Sequence, residues 1–397
     1  MKYLFILGRQ PALSLAEIIR AVPNSKVLSV MTEAAEVECE PLTAGFLNSL
    51  GGTIKIAEAV SEHDNAAAIT AEVLRDTIPP RDGRIMFGLS AYGRFSGDER
   101  RAMYIAGLEL KKNIKAEGRR CRMVVSRETQ LSSVVVTKNK LIGEGAEFIV
   151  FKNKKQIVLG RTIAVQEFEA YGERDFDRPG RSAKRGMLPP KLAQIMINLA
   201  GAGNGSLLDP FCGSGTVLGE ALLMGFKKVV GADISEEAVR DTNAYLNWLE
   251  EKHSEFRGRW RAVAADARLA DEVFAGEAFG AVVAEPLLGP PQKGNETEEQ
   301  LRKVMTSELV PLYADSLRSI QNITAPGGAA VFVFPVFGRG RNRIFVPLEK
   351  IADGFKIVPL LSPEFEKDGL YLSPNGGCLY ERPEQRVGRE IILMKKI

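Results

Sequence analysis

The chain has 397 residues, too many for one ordinary domain, and its 45% hydrophobic and 26% charged residues exclude disorder as the general state. The amino-terminal run MKYLFILGRQ is too short for a signal-peptide core, and no stretch approaches the roughly 18 apolar residues of a membrane span, so a cytoplasmic protein is expected. Four dispersed cysteines without a CxxC pair, and only two histidines, argue against a disulfide scaffold, a metal site and a Ser-His-Asp triad.

In chain order, YLFIL at 3–7 reads as a strand and SLAEIIRAV at 14–22 as a helix. Strands at 26–30 and 34–39 and a helical stretch at 42–50 complete a first α+β module, residues 1–78, before the Pro79-Pro80 break. His63 and His253 read as surface or helix residues. A second module, residues 79–162, mixes a helix at 98–116 with strands at 85–90, 122–125 and 147–152. Residues 163–186 have no clear period and are rich in glycine and charge, which suggests a linker or a segment covering a site.

From Met187 the pattern changes. A helix opens at Pro189-Pro190, and strands at 206–209, 228–233, 261–265, 281–284 and 329–334 alternate with helices at 216–224, 236–251 and 298–322. Such alternation predicts a doubly wound, mostly parallel sheet over residues 187–397, closed by a final strand at 388–395 in an antiparallel hairpin.

Charge is unevenly spread. Residues 81–161 carry 18 basic against 8 acidic side chains, whereas residues 1–80 carry 6 against 10. A basic block in an otherwise acidic chain is the electrostatic footprint of a polyanion, and Arg100, Arg101, Arg119, Arg120 and Arg122 are its candidate RNA-contacting residues.

The most informative motif is LLDPFCGSGTVLGEALLMG at 207–225. A strand runs into Asp209, a tight turn uses Gly213 and Gly215, and a helix opens at Thr216. Asp233 ends the next strand, where a nucleotide site places an acid for ribose hydroxyls, and Asp266 follows the third. A dinucleotide would require glycine where Leu218 stands, and the Asp209 charge would repel a pyrophosphate. The acid suits a cationic ligand such as S-adenosylmethionine. With Phe211, Ile234 and Ala267 these residues form the expected cofactor-binding set.

DPFCGSGT, GADIS and AADAR resemble the cofactor motifs of class I methyltransferases, and the chain is similar over most of its length to THUMP-domain tRNA guanine-N2 methyltransferases of the guanosine-10 type. The likeness includes YLFILGRQPALSLAEI, DFDRPGRSAKRGMLPPKLAQIMINLA and ERPEQRVGREIILM. It implies a ferredoxin-like module, a THUMP-like module and a Rossmann-like methyltransferase domain, with S-adenosylmethionine as cofactor and tRNA as partner. A D-P-P-Y-type motif follows the fourth strand in that family, its acid and a backbone carbonyl holding the exocyclic amine. Here AVVAEPLLGPP aligns Glu285 with the acid and Pro286 with the first proline, making them the expected catalytic pair. Leu287 and Leu288 replace the second proline and the aromatic residue; Phe211, Phe334 and Phe337 are candidate substitutes as stacking surfaces, or else core or cofactor-pocket wall, Phe211 being the best candidate for a wall. Arg178 and Arg181 are expected to close over the cofactor or contact phosphate, or else to lie on a surface loop, and Cys212 to be a packing residue.

Three readings remain open from the sequence: an RNA N-methyltransferase, a catalytically silent cofactor- and RNA-binding module, and an enzyme methylating another amine. No heptad pattern forces a dimer, and nothing specifies an activating subunit.

Overall fold

The computed structural model describes residues 1–78, 83–180, 187–201, 205–382 and 385–397, without the side chains of Ala44 and Arg341. They divide into two compact units, Met1–Phe168 with Lys367–Gly369, and Glu169–Glu366 with Leu370–Ile397.

The first unit is built on β1 (Lys2–Leu7), β2 (Lys26–Val30), β3 (Ala34–Glu38), β4 (Thr53–His63), β5 (Ile85–Tyr92), β6 (Cys121–Val124), β7 (Ala146–Lys152) and β8 (Ile157–Val165). They form one sheet in the order β2-β3-β1-β4-β8-β7-β5-β6, parallel only where β5 meets β6 and β7. The two modules expected from sequence therefore share a sheet, joined where β4 pairs antiparallel with β8. Helices α1 (Pro11–Ala21), α2 (Ala71–Thr77), α3 (Gly97–Ala116) and α4 (Ser133–Lys138) accompany it. A capping box of Ser96 and Glu99 starts α3, and Met103, Ala106, Leu110 and Ile114 bury one of its faces. The stretch expected to be helical at 42–50 is a tighter 3₁₀ turn, Ala44–Ser49. His63, read as a surface or helix residue, ends β4 half-buried, its Nε2 2.8 Å from Ser61 Oγ.

Helix α5 (Phe168–Gly172) leads into the second unit and is followed by a wide helical turn at Glu173–Asp177, where the sequence suggested a linker or a segment covering a site. Then come α6 (Pro190–Ala200), β9 (Ser206–Asp209), α7 (Thr216–Leu223), β10 (Lys228–Asp233), α8 (Glu236–Lys252), β11 (Trp260–Ala264), α9 (Ala270–Val273) and β12 (Phe279–Ala284). After them lie α10 (Glu298–Val304), α11 (Val310–Ile323), β13 (Thr324–Val336), β14 (Phe355–Val358), β15 (Cys378–Tyr380) and β16 (Gly388–Lys396). The sheet order is β11-β10-β9-β12-β13-β16-β14, parallel from β11 to β13 and antiparallel around β16. This is a class I methyltransferase-like α/β fold. The single helix expected over 298–322 widens at Met305–Leu309, where Pro311 has no N–H to donate into the preceding turn.

The core beneath β12 and β13 contains Phe332, Phe334, Phe337 and Tyr313. Phe334 and Phe337 have no exposed surface, so neither is a stacking platform: their rings fill the space under the sheet. Among the described residues, no helix is long and apolar enough to cross a membrane, and no cluster of three His, Cys, Asp or Glu could hold a metal ion.

Candidate active site

Because β9, β10 and β12 are parallel neighbours, Asp209, Asp233 and Glu285 all emerge at the carboxyl ends of the sheet. Ligands of doubly wound folds bind in that crevice. A cavity of about 610 Å³ opens there, of a size that holds a small organic ligand.

Of the residues singled out in the sequence, Asp209, Phe211, Gly213, Thr216, Asp233, Ile234, Asp266, Ala267, Glu285 and Pro286 line this cavity. Gly215 does not. It turns the chain into α7 at φ 82°, and a Cβ on it would stand 3.1 Å from Thr242 on α8. Gly213 also has positive φ, 53°, but a Cβ there would meet open space, its nearest neighbour being Phe211 O at 4.0 Å. The turn thus leaves a cradle at Gly213 and a packing contact at Gly215.

The acids are held differently from one another. Asp209 is buried and accepts a 3.0 Å hydrogen bond from Phe211 N; no lysine or arginine pairs with it among the described residues. Burial pushes its carboxyl well above the usual carboxylate range, reinforced by Asp233 and Glu285. Asp233 accepts from Gly213 N and Ser235 N, each at 2.9 Å, and so ties the glycine turn to the end of β10. Asp266 is drawn below its ordinary range by the side chain of Arg268, which grips it through three contacts of 2.5–3.0 Å. Glu285 meets Arg389 of β16, whose Nε donates to Oε1 at 2.5 Å.

Two arginines therefore serve two of the four acids lining the cavity, and Asp209 and Asp233 have backbone donors only. A ligand with positive charge fits the Asp209 side, and the cradle at Gly213 admits its close approach to the backbone. Ile234, 73% exposed although apolar, offers a flat contact beside Asp233.

Sequence reasoning missed Arg389, and it left the role of Arg178 open. Arg178 is buried, donates to Ser214 Oγ at 2.7 Å and Thr216 Oγ1 at 3.0 Å, and stacks on Tyr245 at 4.2 Å. It braces the glycine turn from behind. Arg181 lies outside the described residues. Cys212 is buried beside Thr242, and burial raises its thiol far above the range of a nucleophile.

In the first unit, Arg100, Arg101, Arg120 and Arg122 are exposed and Arg119 is half-buried. Arg100 and Arg101 sit at the start of α3, and the other three follow its end. The rest of the helix from Arg101 to Ala116 separates the groups by about 23 Å, so the basic block presents two patches.

Residues 178–336 match the family described as RMKL-like, methyltransferase domain. The chain is 28% identical over 347 residues to a tRNA (guanine(10)-N2)-dimethyltransferase of Pyrococcus abyssi, a match covering 82% of this chain and 96% of that protein. It is 35% identical over 156 residues to the enzyme of the same name from Methanothermobacter thermautotrophicus, covering 38% of this chain and 43% of the relative. The crystal structure of TrmN from Thermus thermophilus superposes over the full length of both chains with a TM-score of 0.56 at 17% identity, a likeness of fold. The stretch similar to a methyltransferase domain contains the glycine turn, and with it the acids Asp209, Asp233, Asp266 and Glu285 and the proline Pro286, which line the cavity.

Proposed function

We propose that the chain methylates tRNA, at the exocyclic N2 amine of a guanosine, using the 610 Å³ cavity of the second unit. One observation carries the reading: Glu285 and Pro286 open onto the same cavity as Asp209 and the Gly213 turn. Acid and cofactor cradle are then within reach of one pair of reactants. The names of the relatives supply the substrate class, and the one from Pyrococcus abyssi is matched over 96% of its length.

Bound S-adenosylmethionine supplies a methyl group on a sulfonium, which forms a bond to the amine nitrogen as the sulfur–carbon electron pair passes to sulfur. The residues do the rest by position and charge. Asp209 would face the positive charge, Gly213 would admit the ligand to the backbone, and Ile234 and Ala267 would supply apolar contact to it. Glu285 accepts an N–H of the amine, which raises the electron density on nitrogen, and receives the proton the nitrogen must shed. Proline at 286 fixes the backbone so that the Glu285 carbonyl faces the same amine. Leu287 and Leu288 offer apolar contact to the base where an aromatic ring is expected, and Phe211 supplies the aromatic wall. Asp266 is already satisfied by Arg268, so its contact with adenine requires the two to share that carboxylate.

The test is methyl transfer from labelled S-adenosylmethionine to unmodified tRNA, with product nucleosides identified by mass spectrometry. N2-methylated guanosine is expected. Transfer to another nucleoside, or none with both ligands bound, overturns the reading. The first unit is assigned the tRNA-docking role. Reversing Arg119, Arg120 and Arg122 to glutamate should weaken tRNA binding and flatten its salt dependence by about 3 or more in slope. An unchanged salt slope removes that patch from the docking surface.

A further inference from the structure

The acid of the cavity is already held. Arg389 and Glu285 are 104 positions apart in sequence, and their side chains are only 10% and 17% exposed. Both line the cavity, so this is not a tie on the outer surface. The contact is lopsided. Arg389 Nε donates to Glu285 Oε1 at 2.5 Å, whereas Nη2 lies 3.5 Å from Oε2, at the margin of hydrogen bonding. The remaining terminal nitrogen, Nη1, donates to Gln385 Oε1 at 2.8 Å. Arg389 is thus fixed at both ends of its guanidinium plane, and it engages one carboxylate oxygen fully and the other barely.

Backbone restraints meet it from the other side. Leu287 O accepts from Tyr313 OH at 2.5 Å, which pins the loop two residues after Glu285 to α11. Glu285 begins at the end of β12, so its main chain is set by the sheet and its side-chain tip by Arg389. A glutamate has one more rotatable bond than the aspartate of the resembling motif, and that freedom must be removed if the tip is to meet a substrate atom.

We infer that Arg389 is the positioning residue of the methyl-transfer site: it holds Glu285 by Oε1 and presents Oε2 to the amine of the substrate base. The inference rests on the functional reading above. It also explains how the cavity sorts its charges. Arg389 pairs with Glu285 and leaves Asp209 and Asp233 with backbone donors only, so a cationic cofactor is drawn to the glycine turn and the uncharged base to the Glu285 side. Lysine in place of Arg389 would keep the charge but lose the planar fork that grips Glu285 and Gln385 together.

The experiment compares wild type with Arg389→Gly, Arg389→Lys, Glu285→Gln and Glu285→Gln with Arg389→Gly, measuring cofactor Kd, KM for tRNA, and kcat. For Arg389→Gly, kcat should fall on the order of 10²-fold, the cost of a catalytic group misplaced by about 1 Å. Cofactor Kd should stay within about threefold, a change of roughly 0.7 kcal/mol. Added guanidinium should restore part of the lost kcat in Arg389→Gly and none in Glu285→Gln. The double variant should be no slower than Glu285→Gln alone, because residues that act as a unit are not additive.

Wild-type kcat in Arg389→Gly, or a loss confined to cofactor Kd, overturns the role of Arg389. So does a double variant whose losses simply add. Should the glycine variant unfold, Arg389→Lys carries the test. It should retain the wild-type melting temperature with kcat reduced at least about tenfold, and full activity overturns the inference. A wild type that transfers no methyl group to tRNA overturns the functional reading itself and this role with it.

Discussion

Glu147 in the first unit and Asp209 in the second are both carboxylates removed from water, at 0% and 2% exposure, yet they live in opposite circumstances. Glu147, on β7, accepts from Lys55 Nζ and from Ser90 Oγ at 2.6 Å through Oε1, and from Thr162 Oγ1 at 2.8 Å through Oε2. Its partner Lys55 also donates to Leu131 O at 2.6 Å. Four strands, β4, β5, β7 and β8, contribute to that network. Asp209 has one backbone donor and no cation. A buried charge that the protein satisfies internally holds a fold together, whereas one left without a counter-charge is a standing cost that a ligand can relieve.

The largest effect expected from this contrast is on the first unit. Glu147→Gln strands the Lys55 ammonium in a site without water, and the loss should be about 3–5 kcal/mol of unfolding free energy, read by denaturant titration. Removing both charges, as Lys55→Met with Glu147→Leu, should recover most of it, since the penalty lies in the unpaired partner and not in the absence of the pair. A double variant as unstable as Glu147→Gln would show that the network's hydroxyl bonds, not the charge pair, bear the weight.

Asp209→Asn should act in the opposite direction on stability. It removes a buried carboxyl whose ionisation the fold opposes, so the ligand-free second unit should gain about 1–3 kcal/mol at neutral pH. The pH dependence follows from the raised folded-state titration of Asp209. Between the unfolded value and the raised folded value the native state holds the extra proton, so stability falls as pH rises through that window, and the penalty is complete above it. The asparagine variant should lack that slope. Affinity for S-adenosylmethionine should move the other way in the wild type, strengthening as pH rises and Asp209 ionises. Asp209→Asn should bind S-adenosylmethionine about tenfold more weakly, a loss of 1.4 kcal/mol, and flatten this dependence. Equal cofactor affinity in the two proteins would place the positive charge elsewhere.

The same contrast explains what could be read in the sequence. Strands at 26–30, 206–209 and 228–233 follow from short apolar runs bounded by turn residues, and the structure has them at those bounds. The glycine turn and the acids ending β9 and β10 are local patterns, so the Asp209 side of the cavity was legible. Strand β4, TIKIAEAVSEH, was not recognised because its alternation breaks at Ile56-Ala57 and Ala59-Val60, where the ladder shifts register, and Lys55, which reads as solvent-facing, is buried by a partner 92 positions later. Arg389 was hidden for the same reason. VGREIIL reads simply as a strand, and only the fold brings its arginine to Glu285. An arginine inside an apolar terminal strand was the available signal. Phe334 and Phe337 read from the sequence as stacking surfaces or as core, and it is the sheet above them that decides for core.

The smallest expected effect separates the cofactor cradle from the scaffold that carries it. Gly213→Ala places a side chain at φ 53°, which should cost about 1–2 kcal/mol of stability for a left-handed residue. Nothing in the protein stands where the new Cβ would lie, so that strain is the whole structural penalty. The methyl group would instead intrude on space assigned to the cofactor, and S-adenosylmethionine binding should weaken beyond what the stability loss explains, measured by titration well below the melting temperature. Gly215→Ala provides the contrast, since its Cβ would press on Thr242 outside the cavity. There stability should fall further than for Gly213→Ala, with less change in affinity for the fraction that remains folded. If both variants weaken binding equally, the turn acts as one rigid piece and the open space at Gly213 is not where the cofactor approaches.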